Sequence, residues 1–370
     1  MKVLKFGGTS LAGADRIRRM GSILEQETGP CIVVLSAIGD TTDELTAFIE
    51  ELRQGERGKA RERIGSLEAW YRHLIASLFG QEGEDGEARN LLEGYMEQLR
   101  GYARRMLTIH EEREILAQGE LLSSGVIALY LKQCGKELGL LSALDIVRVD
   151  EDREPDRGYL DQHLQEALER EKGVELFLIQ GFICRDPFGK VDHLKRGGSD
   201  LTASLLAASL GADQLCIWTD VDGVQNNDPR VVAHAEPVRR MSYDEAAELS
   251  YFGAKVLHPS SIRPAKEAGV PVKLKNSFAP DAEGTLVQDG ETERVAIRAI
   301  AAKDGITAVR VRSGRMLMAY GFLKRVFEIF ELYRTPIDMI TTSEVAVSLT
   351  IDDDSCLESI LPALREFGTV

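Results

Sequence analysis

Two segments set a cation beside paired glycines and a hydroxyl: Lys5-Phe6-Gly7-Gly8-Thr9-Ser10 and Lys195-Arg196-Gly197-Gly198-Ser199-Asp200. Glycine lets the backbone approach an anion closely, and a helix that follows offers unpaired N–H groups at its start. Such a point binds phosphate or carboxylate. Neither segment is a Walker loop or a Rossmann fingerprint. Arg196 offers a planar fork suited to a carboxylate. Ser199 or Asp200 is placed to cap the helix expected over 201–210; Asp200 could equally face a metal or order Lys5. A third segment, Trp218-Thr219-Asp220-Val221-Asp222-Gly223-Val224, continues through Gln225 to Asn226-Asn227-Asp228-Pro229-Arg230. An Asp-rich turn after a strand, then an arginine, suits nucleotide binding beyond the carboxyl edge of a sheet. The fourth is Phe252-Gly253-Ala254-Lys255-Val256-Leu257-His258-Pro259, in which Lys255 could reach phosphates. His258 reads as a hydrogen-bonded structural histidine rather than a general base. Taken singly, each segment is also compatible with an ordinary turn.

The elements around these segments are an apolar strand at 2–6, a turn and a helix over 11–27, then the continuous apolar strand 31–35 and another turn and helix. That rhythm implies a mostly parallel α/β sheet with helices on both faces. Residues 44–135 read as a charged helical insertion. Strands resume at 138–149, 174–183, 214–219 and 271–275, separated by long loops at 184–199 and 220–235, a size usually functional. From about 297 the pattern changes to strand 306–311, helix 322–333, strands 337–340 and 345–351 and helix 356–367. This is a small α+β module. The expected division is therefore 1–296 and 297–370.

The 370 residues carry 45 Lys+Arg against 60 Asp+Glu, a net charge of −15, which argues against nucleic-acid and anionic-membrane partners. No apolar run approaches the ~18 residues of a membrane span, and the N-terminus reads as a buried strand rather than a signal peptide. The five cysteines have no metal or redox spacing and read as small buried hydrophobes in a reducing cytoplasm. No resident metal site is expected.

Together the four segments, with Gly119-Glu120-x-x-Ser123, resemble the aspartokinase branch of the amino-acid kinase family over nearly the whole chain. The resemblance implies the amino-acid kinase fold and transfer of the ATP γ-phosphoryl group, with Mg²⁺, to the side-chain carboxylate of L-aspartate. That reaction opens lysine, threonine and methionine biosynthesis. It implies that Lys5 stabilises the transferring group, that Asp200 organises the centre, and that Thr42, Glu120, Arg196 and Ser199 hold aspartate. Glu120 would face the α-ammonium and Arg196 the α-carboxylate. Lys5, Gly7, Gly8, Thr219, Asp220, Gln225, Arg230 and Lys255 would contact the nucleotide. Departures from the family pattern are His193-Leu194-Lys195 for Thr-Leu-Gly, Gln225 for a common tyrosine, Cys184 for a glycine, and a varied 36–42 turn.

The C-terminal module resembles the ACT regulatory domains of the same branch. Met316, Phe322, Asp338, Ser343 and Glu344 match effector-site positions, which implies lysine or threonine as effector and a homodimer or higher homo-oligomer as the assembly. The family has two interleaved ACT units where one is expected here, so the regulatory region reads as incomplete. Kinases for other acidic amino acids, a non-catalytic effector-binding subunit and the kinase half of a homoserine dehydrogenase fusion are the competing readings.

Overall fold

The computed structural model describes residues 1–80, 86–195, 197–251, 257–290, 297–314 and 320–370. They form two compact units, Met1–Ala301 and Ala302–Val370.

In the first unit, strands β1 (Lys2–Phe6), β2 (Cys31–Leu35), β3 (Gly139–Leu141) and β4 (Leu176–Gln180) precede a hairpin of β5 (Ile183–Arg185) and β6 (Val191–His193). Then come β7 (Gln214–Thr219), β8 (Arg240–Met241), β9 (Val272–Asn276) and β10 (Thr285–Val287). The main sheet has the order β3-β4-β2-β1-β7-β9-β10-β8, and only the β9–β10 pairing is antiparallel. Side chains of a strand alternate between faces. Leu4, Phe6, Val33 and Leu35 accordingly enter one core, and Val3, Ile32 and Val34 the other. Both faces are covered, which is why β2 is apolar without interruption. β1 lies between β2 and β7, so chains leave it in opposite directions, and the crevice beyond its carboxyl end is where α/β sheets place ligands.

Residues 44–135 contribute most of the helices Thr41–Arg53, Arg57–Phe79, Gly86–Tyr102 and Ile109–Gln133. The last begins with a capping box between Thr108 and Glu111. It is long and apolar enough to cross a bilayer, but it lies in the core and buries Glu120, Ser123 and Ser124 there.

Three sequence expectations are corrected. The helix over 11–27 is two helices, Gly8–Leu11 and Ala14–Gln26, broken where Gly13 takes φ +121°. The strand at 138–149 shrinks to β3 and a short helix, Ala143–Ile146. The supposed loop at 184–199 contains most of the β5–β6 hairpin, which short alternating segments rich in charge concealed.

The second unit pairs β11 (Thr307–Arg312), β12 (Met339–Thr342) and β13 (Ala346–Ile351) as an antiparallel sheet of order β11-β13-β12. Helices Phe322–Leu332 and Leu357–Arg365 pack on it around Val326, Phe330, Val347, Leu349 and Ile360. Outer strand β12 has all four residues exposed.

Candidate functional site

Beyond the carboxyl ends of β1 and β2, a cavity of about 280 Å³ is lined by Lys5, Gly8, Ser36, Ala37, Gly39, Thr42, Glu120, Phe182, Gly197, Gly198, Ser199 and Asp200. Residues far apart in sequence meet here because β1, the 36–42 turn and three helix ends converge on one edge. Gly8 must be glycine for this convergence, since a Cβ there would stand 2.9 Å from the Ala37 carbonyl oxygen and 3.0 Å from that of Gly39.

Lys5 Nζ pairs with Asp200 Oδ1 at 2.7 Å, and both side chains are largely buried. Asp200 therefore orders Lys5, one of the uses its sequence position left open. Neither Ser199 nor Asp200 caps the helix, which corrects that expectation. Helix Gly198–Ser209 starts behind Gly197, in the left-handed region at φ +74°, with no side-chain cap bond. Both residues instead occupy its first turn, where the free amides point at the cavity and an anion is favoured. A side chain at Gly197 is excluded as well, because a Cβ would meet Ser261 Oγ at 2.2 Å.

Glu120 is 3% exposed, and its Oε2 has no partner among the described residues. Burial raises its pKa to about 8, opposed by the nearby backbone of Glu120 itself and of Ala37. A carboxylate kept this dry calls for a cation.

Thr219 ends β7 and Asp220 follows it directly. Ser10 Oγ donates to the Trp218 carbonyl at 3.3 Å and the Gly7 amide does so at 3.4 Å, so the turn after β7 abuts the Gly7-Gly8 turn. Thr219 Oγ1 donates to Asp220 Oδ1 at 3.1 Å. Gln225 has a buried side-chain oxygen without a partner among the described residues. Arg230 is exposed and forms an ion pair with Asp228 at 2.7 Å. These residues lie outside the 280 Å³ cavity. Arg196 and Lys255, expected to hold a carboxylate and phosphates, lie outside the described residues, as does Met316. In the second unit, Phe322 packs in the core against Phe367, Asp338 precedes β12, and Ser343 and Glu344 form the β12–β13 turn. His258 is a hydrogen-bonded residue, with Nδ1 2.6 Å from Ser260 Oγ.

The segment before Arg196 is anchored by charge. Asp192, 2% exposed, pairs with Arg113 at 3.1 Å and Arg153 at 3.0 Å, and it accepts the His193 amide at 2.7 Å. Lys195, one of the departures from the family pattern, pairs with Glu154 at 2.5 Å and anchors the loop there. Breaking a buried pair strands its partners. Asp192→Asn is expected to cost about 3 kcal/mol, with Arg153 contributing less than Arg113 because it is half exposed. Urea unfolding of the two proteins checks this; equal midpoints and slopes would show the anchor to be inert.

Sequence reasoning missed Phe182, which stacks on His193 with centroids 4.8 Å apart and lines the cavity. Its φ of +67°, rare for a non-glycine residue, aims it there. It also missed Tyr71, whose place in an apolar helical stripe reads as core.

Residues 1–276 match the amino acid kinase family. The chain is 34% identical to the Arabidopsis thaliana protein named aspartokinase 3, chloroplastic, over 95% of this chain and 64% of that one. It is also 34% identical to lysine-sensitive aspartokinase 3 of Escherichia coli, over 95% of this chain and 78% of that protein. The chain thus spans 64% of the plant relative's length, less than two thirds of it. The crystal structure of E. coli aspartokinase III in complex with aspartate and ADP superposes with a TM-score of 0.83 at 33% identity, covering 100% of this chain and 84% of that one. With the converging glycine turns and the Lys5–Asp200 pair, these likenesses place the chain in the amino acid kinase family, among the aspartokinases.

Proposed function

We propose that the chain transfers the ATP γ-phosphoryl group to the side-chain carboxylate of L-aspartate, giving 4-phospho-L-aspartate and ADP. The observation that carries this reading is Glu120, a buried carboxylate with an unpartnered oxygen, in the same cavity as the Lys5–Asp200 pair. The site has room for a small amino acid, and Glu120 asks for its ammonium group. An N-acylated substrate has no such cation. The E. coli relative crystallised with aspartate and ADP supports the same choice.

The aspartate side chain, with pKa ~3.9, is already a nucleophile at neutral pH. One of its oxygens attacks the γ-phosphorus, the bond to the β–γ bridging oxygen breaks, and ADP leaves. No general base is needed; the task is to bring two anions together and stabilise the spreading charge. Lys5 faces the transferring group, held by Asp200. Ser199, Thr42 and Arg196 orient aspartate. Gly7 and Gly8 supply backbone donors to the phosphates, and Thr219, Asp220, Gln225, Arg230 and Lys255 hold the nucleotide. Among the described residues no group of three or more His, Cys, Asp or Glu could hold a metal. Mg²⁺, if bound with the nucleotide, would neutralise charge on the phosphates.

In the second unit, Met316, Phe322, Asp338, Ser343 and Glu344 are the proposed effector contacts, with lysine the first candidate because the E. coli relative is named lysine-sensitive. The exposed strand β12 supports self-association. An ATP-dependent hydroxamate assay tests the activity. Aspartate should give product, glutamate and N-acetylglutamate at least a hundred-fold less, and lysine should lower the aspartate rate more than threonine does. Preference for either other acceptor would reject the assignment.

A further inference from the structure

Tyr71 belongs to the helical insertion, on helix Arg57–Phe79, and is fully buried. Its hydroxyl lies 2.9 Å from Thr41 Oγ1 and 3.1 Å from Ser123 Oγ. Thr41 Oγ1 donates to the Ile38 carbonyl at 2.6 Å, and the Ile38 amide donates to Ser123 Oγ at 2.9 Å. These contacts permit one consistent direction. Thr41 has used its only proton on Ile38, so Tyr71 donates to Thr41. Tyr71 has then used its own proton, so Ser123 donates to Tyr71. The result is a closed ring from the Ile38 N–H through Ser123, Tyr71 and Thr41 back to the Ile38 C=O. Every hydroxyl gives one bond and takes one. Such a ring is cooperative, and in a dry interior each missing member leaves orphaned groups.

The ring sits directly behind the substrate cavity. Ala37, next to Ile38, lines that cavity together with Glu120 and packs against Gly119, where an added Cβ would stand 3.3 Å from the Ala37 Cβ. Ser123 is one helical turn from Glu120 on helix Ile109–Gln133. Tyr71 comes from a third element and joins the other two.

We propose that Tyr71 is a positioning residue of the substrate site: its hydroxyl closes a one-way ring on Ile38 that fixes Ala37 beside Glu120. The proposal rests on the reading of Glu120 as the ammonium partner, and it gives the insertion a role in recognising the amino acid. The other charged groups facing this cavity among the described residues are Lys5 and Asp200, which are paired to each other.

Tyr71→Phe keeps the ring volume and removes only the hydroxyl. In the full chain the KM for aspartate is expected to rise about ten-fold, with kcat and the KM for ATP within two-fold. The acid limb of kcat/KM for aspartate should move to higher pH, because the nearby Ala37 backbone, which favours the charged form of Glu120, is held less firmly. Amide hydrogen exchange at Ile38 should speed up in the ligand-free variant. Ser123→Ala combined with Tyr71→Phe should raise the aspartate KM less than the product of the single effects, since either change opens the same ring. An unchanged aspartate KM, or an equal rise in both KM values, overturns the proposal. Should the parent chain fail to phosphorylate aspartate, the functional reading falls and Ile38 exchange alone judges the ring, unchanged exchange overturning it.

Discussion

Lys5→Ala should lower kcat for aspartate phosphorylation by about a thousand-fold. The size follows from what surrounds the ammonium. Lys5 is the cation paired to Asp200 at 2.7 Å in a cavity flanked by two glycine turns. In the proposed reaction, removing it would take away a donor at the charge that spreads during transfer. It would also leave Asp200 facing the phosphates, so that an attraction would become a repulsion. The same change strands a largely buried carboxylate, which lowers stability. Lys5→Ala/Asp200→Asn separates the two effects: stability should return towards the parent value, while kcat stays at the low level. Circular dichroism and urea unfolding verify the fold, and the hydroxamate assay reads the rate. A kcat within ten-fold of the parent in the folded single variant would remove Lys5 from the chemistry.

Glu120→Gln should raise the KM for aspartate on the order of a hundred-fold with little effect on ATP, as expected when one member of a buried charged pair is lost. The pH dependence carries the sign. Burial pushes the Glu120 carboxyl up to about 8, so at neutral pH the ligand-free protein holds it mostly protonated. An ammonium ligand selects the ionised form. For the parent, kcat/KM for aspartate should climb with pH until about 8, and the Glu120→Gln variant should lack that limb. Stability of the ligand-free protein follows the opposite course. A raised carboxyl pKa contributes stability that is complete below the ordinary value of 4.5 and lost as pH rises through about 8. Glu120→Gln should therefore melt at a higher temperature than the parent at pH 9, with the difference vanishing near pH 5. A pH-independent parent KM together with equal melting temperatures at pH 9 would exclude a dry, unpartnered Glu120.

Much of this was legible in the chain. β1 and β2 are short apolar runs ended by glycine-containing turns, and a sheet covered on both faces leaves few other uses for such segments. Lys5, Ser199 and Asp200 stood out as chemically committed residues within spaced motifs, and Glu120 through the resemblance that Gly119-Glu120-x-x-Ser123 carries. The β5–β6 hairpin did not stand out. Its strands are three residues long and mix charge with apolar side chains, so no period emerges.

The sequence by itself determined which residues carry charge and which turns are free of side chains, because identity sets pKa class and glycine sets backbone freedom. Only the tertiary structure decided who meets whom. Asp200 had several plausible partners until the fold put it on Lys5, and Tyr71 was one more apolar position until the packing of three segments brought its hydroxyl to Thr41 and Ser123. Burial is likewise a property of the folded chain, and Glu120 acquires its raised pKa from the water its neighbours exclude.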